Sequence, residues 1–131
     1  MKYLNLSSDG DLSIAECNAP EIKDDECLIK VKAIGINRAD LLQKKGKYAP
    51  PKGESDVLGI EVCGEISQIG DNVANWQIGN RVCAIVPGGG YAQYAKVKAS
   101  HLIQLPSHVS FNEGASFAET FLTSFQTLVW I

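Results

Sequence analysis

The sequence predicts a mainly β fold with a few helices, and three observations carry that expectation. Short β-like segments rich in Val, Ile and Leu recur through the first hundred residues. Turn signals built from Gly, Pro, Asn and Asp separate them, and apart from one short helical stretch, helical spacing takes over after residue 110. Several short strands interrupted in this way suggest a barrel or a sandwich. At 131 residues the chain has room for one sizeable core and not for two ordinary domains.

Taken in order, Lys2 to Leu6 and Leu12 to Cys17 flank the turn Ser7-Ser8-Asp9-Gly10 and read as a hairpin. Cys27 to Ile36 alternates and then stays apolar, as a strand passing into a core does. Asn37 to Lys45 has helical composition, with lysines at its end and Gly46 as the stop. Tyr48-Ala49-Pro50-Pro51-Lys52-Gly53 cannot be regular structure, because each Pro lacks a backbone donor. Val57 to Ile69 is a long β-branched run whose Gly59 and Gly64 mark a bend or a close backbone approach. Arg81 to Val86, Tyr91 to Val97 and His101 to Leu105 complete the β part, with Gly88-Gly89-Gly90 as a mobile connector. Ser110 and Glu113 fit a capping box, and Phe117, Phe121, Phe125, Leu128 and Val129 follow at helical spacing. That pattern is still running at Trp130-Ile131, so the chain reads as cut, with an apolar final helix that favours a homodimer.

Twelve basic against fifteen acidic residues give a net charge of −3, which argues against a nucleic-acid surface and against polybasic attachment to a membrane. No apolar run approaches the roughly 20 residues of a transmembrane helix. The opening residues lack an apolar signal core, so the expected location is cytoplasmic. Cys17, Cys27, Cys63 and Cys83 form no CxxC pair and each sits in a β-like apolar run, which favours buried free thiols over zinc ligands or disulfides.

Four ordered segments then carry a resemblance. Ala33-Ile34-Gly35-Ile36-Asn37-Arg38-Ala39-Asp40, Leu58-Gly59-Ile60-Glu61-Val62-Cys63-Gly64, Gly79-Asn80-Arg81-Val82 and Gly90-Tyr91-Ala92-Gln93-Tyr94 resemble successive fingerprints of the medium-chain dehydrogenase/reductase superfamily. Asn37-Arg38-Ala39-Asp40-Leu41-Leu42-Gln43 and Tyr48-x-Pro50-Pro51 resemble its quinone oxidoreductase branch. The resemblance implies a GroES-like, partly open β-barrel spanning residues 1–131. It also implies a final helix leading toward a Rossmann domain that this chain lacks.

It implies, further, an NADPH-dependent enzyme that passes hydride to a quinone-type small molecule. Alcohol dehydrogenase relatives place Cys and His zinc ligands where this chain has Asn37 and Ile60, so the implied chemistry is zinc-independent. No Gly-x-Gly-x-x-Gly joins a strand to a helix here, so the chain alone is expected to be catalytically incomplete. A non-catalytic GroES-like binding or assembly module is the alternative.

Candidate site residues follow from the same match. Asn37 is a neutral donor beside the nicotinamide, or an N-cap, or both. Asp40 orients the site or complements the helix dipole. Tyr48 covers the substrate or donates from its phenol, or else anchors the Pro-rich loop. Thr123 contacts the nicotinamide or bonds its own helix backbone, and Ala118 departs from the Pro common in relatives. Glu61 reads as structural, balancing Arg81 or a backbone donor. His101 and His108 read as surface residues.

Overall fold

The computed structural model describes residues 1–130; Ile131, counted above with the apolar final helix, lies outside the described residues. A hairpin of β1 (Lys2–Leu6) and β2 (Leu12–Glu16) is bridged by its first strand, at Tyr3, to Ala92, ahead of a separate five-stranded sheet. That sheet holds β3 (Glu26–Ile34), β4 (Glu61–Ile69), β5 (Arg81–Ile85), β6 (Tyr94–Lys98) and β7 (Ile103–Gln104) in the order β6-β3-β4-β5-β7, with every pairing antiparallel. Among the described residues three α-helices complete the fold, α1 (Arg38–Lys44), α2 (Phe111–Gly114) and α3 (Ala118–Val129), with a 3-10 turn at Ala99–His101. The mainly β expectation holds, and the sheet remains open between its edge strands β6 and β7.

The core lies on the two faces of this sheet. On one, Cys27, Ile29, Val62, Ile66, Val82 and Val97 pack together. On the other, Cys63, Cys83 and Leu105 are covered by Ala115 and Ala118, at and just before the start of α3. Period-two alternation explains the division, since residues 62 and 63 must point to opposite faces of β4. Cys63 and Cys83 stand directly opposite one another across β4 and β5. Flanking bonds from Val86 N–H to Ile60 (2.7 Å) and Ile66 N–H to Asn80 (2.9 Å) make theirs a non-hydrogen-bonded pair, the kind that brings side chains closest.

Several expectations need correction. Cys17 is exposed rather than buried, because β2 ends at Glu16 and the hairpin's outer face meets solvent. Strand β4 starts only at Glu61: Gly59 has φ +97°, which turns the chain before pairing begins. Gly88-Gly89-Gly90 is no loose connector, since all three are buried and the Gly89 and Gly90 N–H groups donate to Val57 (2.6 Å) and Gly59 (3.0 Å) carbonyls. The apolar tail is two helices rather than one, separated by residues 115–117. The Ser110–Glu113 capping box is present and starts only the four-residue α2.

Candidate active site

The site is built around α1. Asn37 is its N-cap, with extended backbone, and Asp40 at the third helical position completes a capping box: Asp40 Oδ2 accepts the Asn37 N–H at 2.7 Å. Lys45 and Gly46 close the helix, with Gly46 at φ +66° and the Lys47 N–H reaching back to the Leu42 carbonyl at 2.9 Å.

Three side chains then fasten α1 to the rest of the fold. Buried Gln43 accepts the Gly59 N–H at 3.0 Å. Buried Asp40 also accepts the Tyr91 hydroxyl at 2.7 Å, while its Oδ1 is buried with no partner among the described residues. Asn37 Nδ2 donates to Glu61 Oε2 at 2.9 Å.

Glu61 is 1% exposed, yet it does not balance Arg81. The Arg81 guanidinium donates instead to the Pro106 (2.8 Å) and Val109 (2.6 Å) carbonyls and lies over the Phe111 ring at 4.5 Å. The second oxygen of Glu61 accepts the Glu119 N–H at 2.9 Å, across 58 residues of sequence. Phe117 occupies the N-cap of α3 and has no oxygen to offer, so Glu61 supplies the cap from outside the helix. Gly35 leaves room for this carboxylate: a Cβ there would overlap Glu61 Oε2 and the Ala115 carbonyl.

A cleft of about 670 Å³ opens beside this framework. Ile60, Ile85, Val86 and Leu102 give it apolar walls, and Tyr48, His101, Glu119 and Leu122 also line it. Tyr48 is 49% exposed. Thr123, one residue beyond Leu122, donates to Glu119 Oε1 at 3.1 Å. The cleft thus gathers Tyr48 and the neighbours of Thr123. Asn37 is not among the lining residues and is bonded to Glu61, and Asp40 is buried within the joint between α1 and Tyr91. His101, read as a surface residue, is exposed and also lines the cleft.

Electrostatics separate the joint from the cleft. Burial pushes the Tyr91 phenol upward, and its bond to the Asp40 carboxylate adds to the shift. Burial pushes the Cys63 thiol to about 12, with neighbouring Cys83 and Glu61 adding smaller upward contributions. Cys83 moves the same way, chiefly through burial and then through Glu61. These thiols are therefore held neutral and are poor nucleophiles. Among the described residues no three His, Cys, Asp or Glu side chains come together in a metal-binding group.

Two residues that sequence reasoning missed, Tyr91 and Gln43, hold the joint. The signal for Glu61's role was legible in principle: an aromatic residue at a helix N-cap implies an acceptor from elsewhere.

Comparison with known proteins agrees with this architecture. Residues 23–107 match the family described as the alcohol dehydrogenase GroES-like domain. The human synaptic vesicle membrane protein VAT-1 homolog-like is 34% identical over 109 residues, covering 83% of this chain and 26% of that protein. Its crystal structure superposes with a TM-score of 0.88 at 30% identity, over 99% of this chain and 42% of that one. The chloroplastic quinone-oxidoreductase homolog of Spinacia oleracea is 34% identical over 122 residues, covering 89% of this chain and 37% of that protein. The Escherichia coli quinone oxidoreductase complexed with NADPH superposes with a TM-score of 0.83 at 28% identity, over 98% of this chain and 39% of that one. The chain thus spans well under half the length of these relatives. With its matched region, its open antiparallel sheet and its four ordered fingerprints, the chain belongs to the alcohol dehydrogenase GroES-like domain family, within the medium-chain dehydrogenase/reductase superfamily.

Proposed function

We propose that this chain forms the substrate-side domain of an NADPH-dependent quinone oxidoreductase. In this proposal the enzyme works in the cytoplasm and moves hydride to quinones or related electrophilic carbonyls without zinc. The observation that carries the proposal is the make-up of the cleft. Ile60, Ile85, Val86, Leu102 and Leu122 offer apolar surface to a flat ring, and Tyr48 adds a neutral phenol. Ile60 has no donor atom for a metal. The similarity to the quinone oxidoreductases named above supports the same assignment.

NADPH, when bound, supplies the hydride. The acceptor oxygen then gains negative charge, which neutral N–H and O–H donors stabilise best where water is excluded. The Tyr48 hydroxyl makes no hydrogen bond among the described residues and is free to donate. Asn37 keeps a second N–H beyond the one given to Glu61. The Thr123 oxygen, having donated to Glu119, still has lone pairs to accept from the nicotinamide carboxamide. The N–H groups of Gly89 and Gly90 are already committed to backbone carbonyls and make no phosphate cradle. In this proposal the groups that hold the cofactor phosphates lie outside this chain.

The apolar face of α3 supports a further element of the proposal, a homodimer. Phe117, Phe121, Phe125, Leu128, Val129 and Trp130 are all exposed on or beside this helix. Apolar surface of this kind, gathered on one helix, suits the core of a protein–protein interface.

The test is Tyr48→Phe in an enzyme that joins this domain to a cofactor-binding domain. Turnover of a model quinone should fall by ~1–4 kcal/mol in barrier terms, with an unchanged melting temperature. Normal turnover by the folded variant would overturn the role of Tyr48. Calorimetric titration of the 131-residue chain with NADPH should show weak binding or none. A tightly held stoichiometric zinc on metal analysis would sink the zinc-free assignment.

A further inference from the structure

One carboxylate joins the two sides of the cleft. Glu61 leaves β4 immediately after Ile60, a wall residue, and is 1% exposed. Its Oε2 takes the Asn37 amide at the head of α1, and its Oε1 takes the Glu119 N–H in the first turn of α3. Ala39 on α1 and Glu119 and Leu122 on α3 line the cleft. The distance between these helices is therefore set through Glu61, and so is the aim of the Asn37 amide.

We propose that Glu61 is a positioning residue: it orients Asn37 and seats the start of α3, so that Ala39 of α1 and Leu122 of α3 are held at a fixed spacing across the cleft. The proposal rests on the function proposed above, although its test does not require turnover.

Bond polarity makes the proposal sharp. A carboxylate can accept from both Asn37 and Glu119, whereas an amide at position 61 brings one acceptor and one donor. Glu61→Gln therefore satisfies only one of the two and sets its own N–H₂ against the other donor. The double variant Asn37→Asp/Glu61→Gln reverses the polarity of the first bond. The amide introduced on β4 then donates to the carboxylate introduced at the head of α1 and still accepts from the Glu119 N–H. Asp remains a good N-cap, so α1 keeps its start.

Two reporters are built into the chain. Cys63 and Cys83 pack under Ala115 and Ala118, with Gly114 also against the Cys63 thiol, so they become reactive when the segment leading into α3 lifts. Cys27 is buried on the opposite face of the sheet and reports general loosening. Cys17 is exposed and serves as the fast reference. The second reporter is the side-chain amide of Asn37, whose bonded proton should be shifted and slow to exchange.

The experiment is alkylation of the 131-residue chain with iodoacetamide, read by mass spectrometry, together with side-chain amide NMR. Glu61→Gln should move at least one reporter with Cys27 unchanged: Cys63 and Cys83 label about tenfold faster or more where the new amide turns its donor toward Glu119, or the protected Asn37 proton is lost where it turns its donor toward Asn37. The double variant should show native labelling rates at Cys63 and Cys83. The proposal is overturned if Glu61→Gln leaves both reporters unchanged, if Cys27 accelerates equally, or if the double variant labels Cys63 and Cys83 faster than the native chain. Should Glu61→Gln fail to fold, the double variant decides alone: a folded chain with protected thiols supports the coupling, and an unfolded one refutes it. Failure of the functional proposal would appear separately, in the Tyr48→Phe kinetics.

Discussion

The Tyr91 phenol donates to Asp40 Oδ2 at 2.7 Å, tying the segment before β6 to α1. The same carboxylate oxygen holds the Asn37 N–H, while the other has no partner among the described residues. Tyr91→Phe leaves a buried carboxylate with a single donor, and the expected loss is about 1–3 kcal/mol. Urea unfolding measures it; a change within about 0.5 kcal/mol would mean that the Tyr91 hydroxyl contributes nothing.

Alkaline conditions should weaken the fold. Cys27, Cys63, Cys83 and Tyr91 are all shifted upward by burial. Below the ordinary thiol value of 9.0 both folded and unfolded chains keep these protons, and the contribution to stability is complete. Above it the unfolded chain releases thiol protons that the folded chain retains, so stability falls as pH climbs through the folded value of about 12 at Cys63. Unfolding midpoints should drop from about pH 9 upward, and the drop should shrink in Cys63→Ala/Cys83→Ala. An unchanged slope in that variant would rule the thiols out as its source.

Gly35→Ala should be among the most damaging single substitutions. The added methyl overlaps Glu61 Oε2 and the Ala115 carbonyl, both fixed by their own bonding or backbone. Overpacking of this kind costs about 1–3 kcal/mol, and displacing Glu61 adds to it. Gly46→Ala is the control: its site is open, and only the left-handed backbone at φ +66° resists, at about 1–2 kcal/mol. Equal destabilisation of the two in denaturant titrations would contradict the crowding at Gly35.

Self-association should run through α3. Phe117 and Phe121 stack with ring centroids 4.6 Å apart, and Phe125 extends the exposed apolar surface. Phe121→Glu/Phe125→Glu should convert a dimer to a monomer in light scattering while leaving the circular dichroism spectrum unchanged. A native chain that stays monomeric at high concentration would refute the dimer.

Local chemistry made much of this molecule legible. The Ser7–Gly10 turn, the Asn37 cap, the Gly46 stop and the Ser110–Glu113 box each depend on neighbours in sequence, and each is found in place. The alternation of β3 and the continuous apolar core of β5 were equally readable. Pairings that depend on the fold were not. Glu61 and Glu119 meet across 58 residues, and Tyr91 and Asp40 across 51. No periodicity encodes such meetings: of the two partners expected for Glu61, Arg81 or a backbone donor, the backbone donor holds, but the sequence did not show that it is the Glu119 N–H. His101 is exposed as expected, and only its place at the cleft was hidden. Glycine runs were misread for a related reason: composition suggests freedom, whereas packing of Gly88 against the Ser55 carbonyl leaves none.

The strand order β6-β3-β4-β5-β7 also governs how the chain reaches this state. Strand β3 sits between β4, which begins at Glu61, and β6, where Glu26 meets Lys98. Neither neighbour is local, so long loops must close before the sheet gains its hydrogen bonds. Folding should therefore fall in the millisecond-to-second range of high-contact-order domains. On the ribosome, β3 emerges more than sixty residues before its second partner. Until Lys98 appears, the apolar run Cys27-Leu28-Ile29 has one side unpaired, and that interval is when the nascent chain is most open to misassociation.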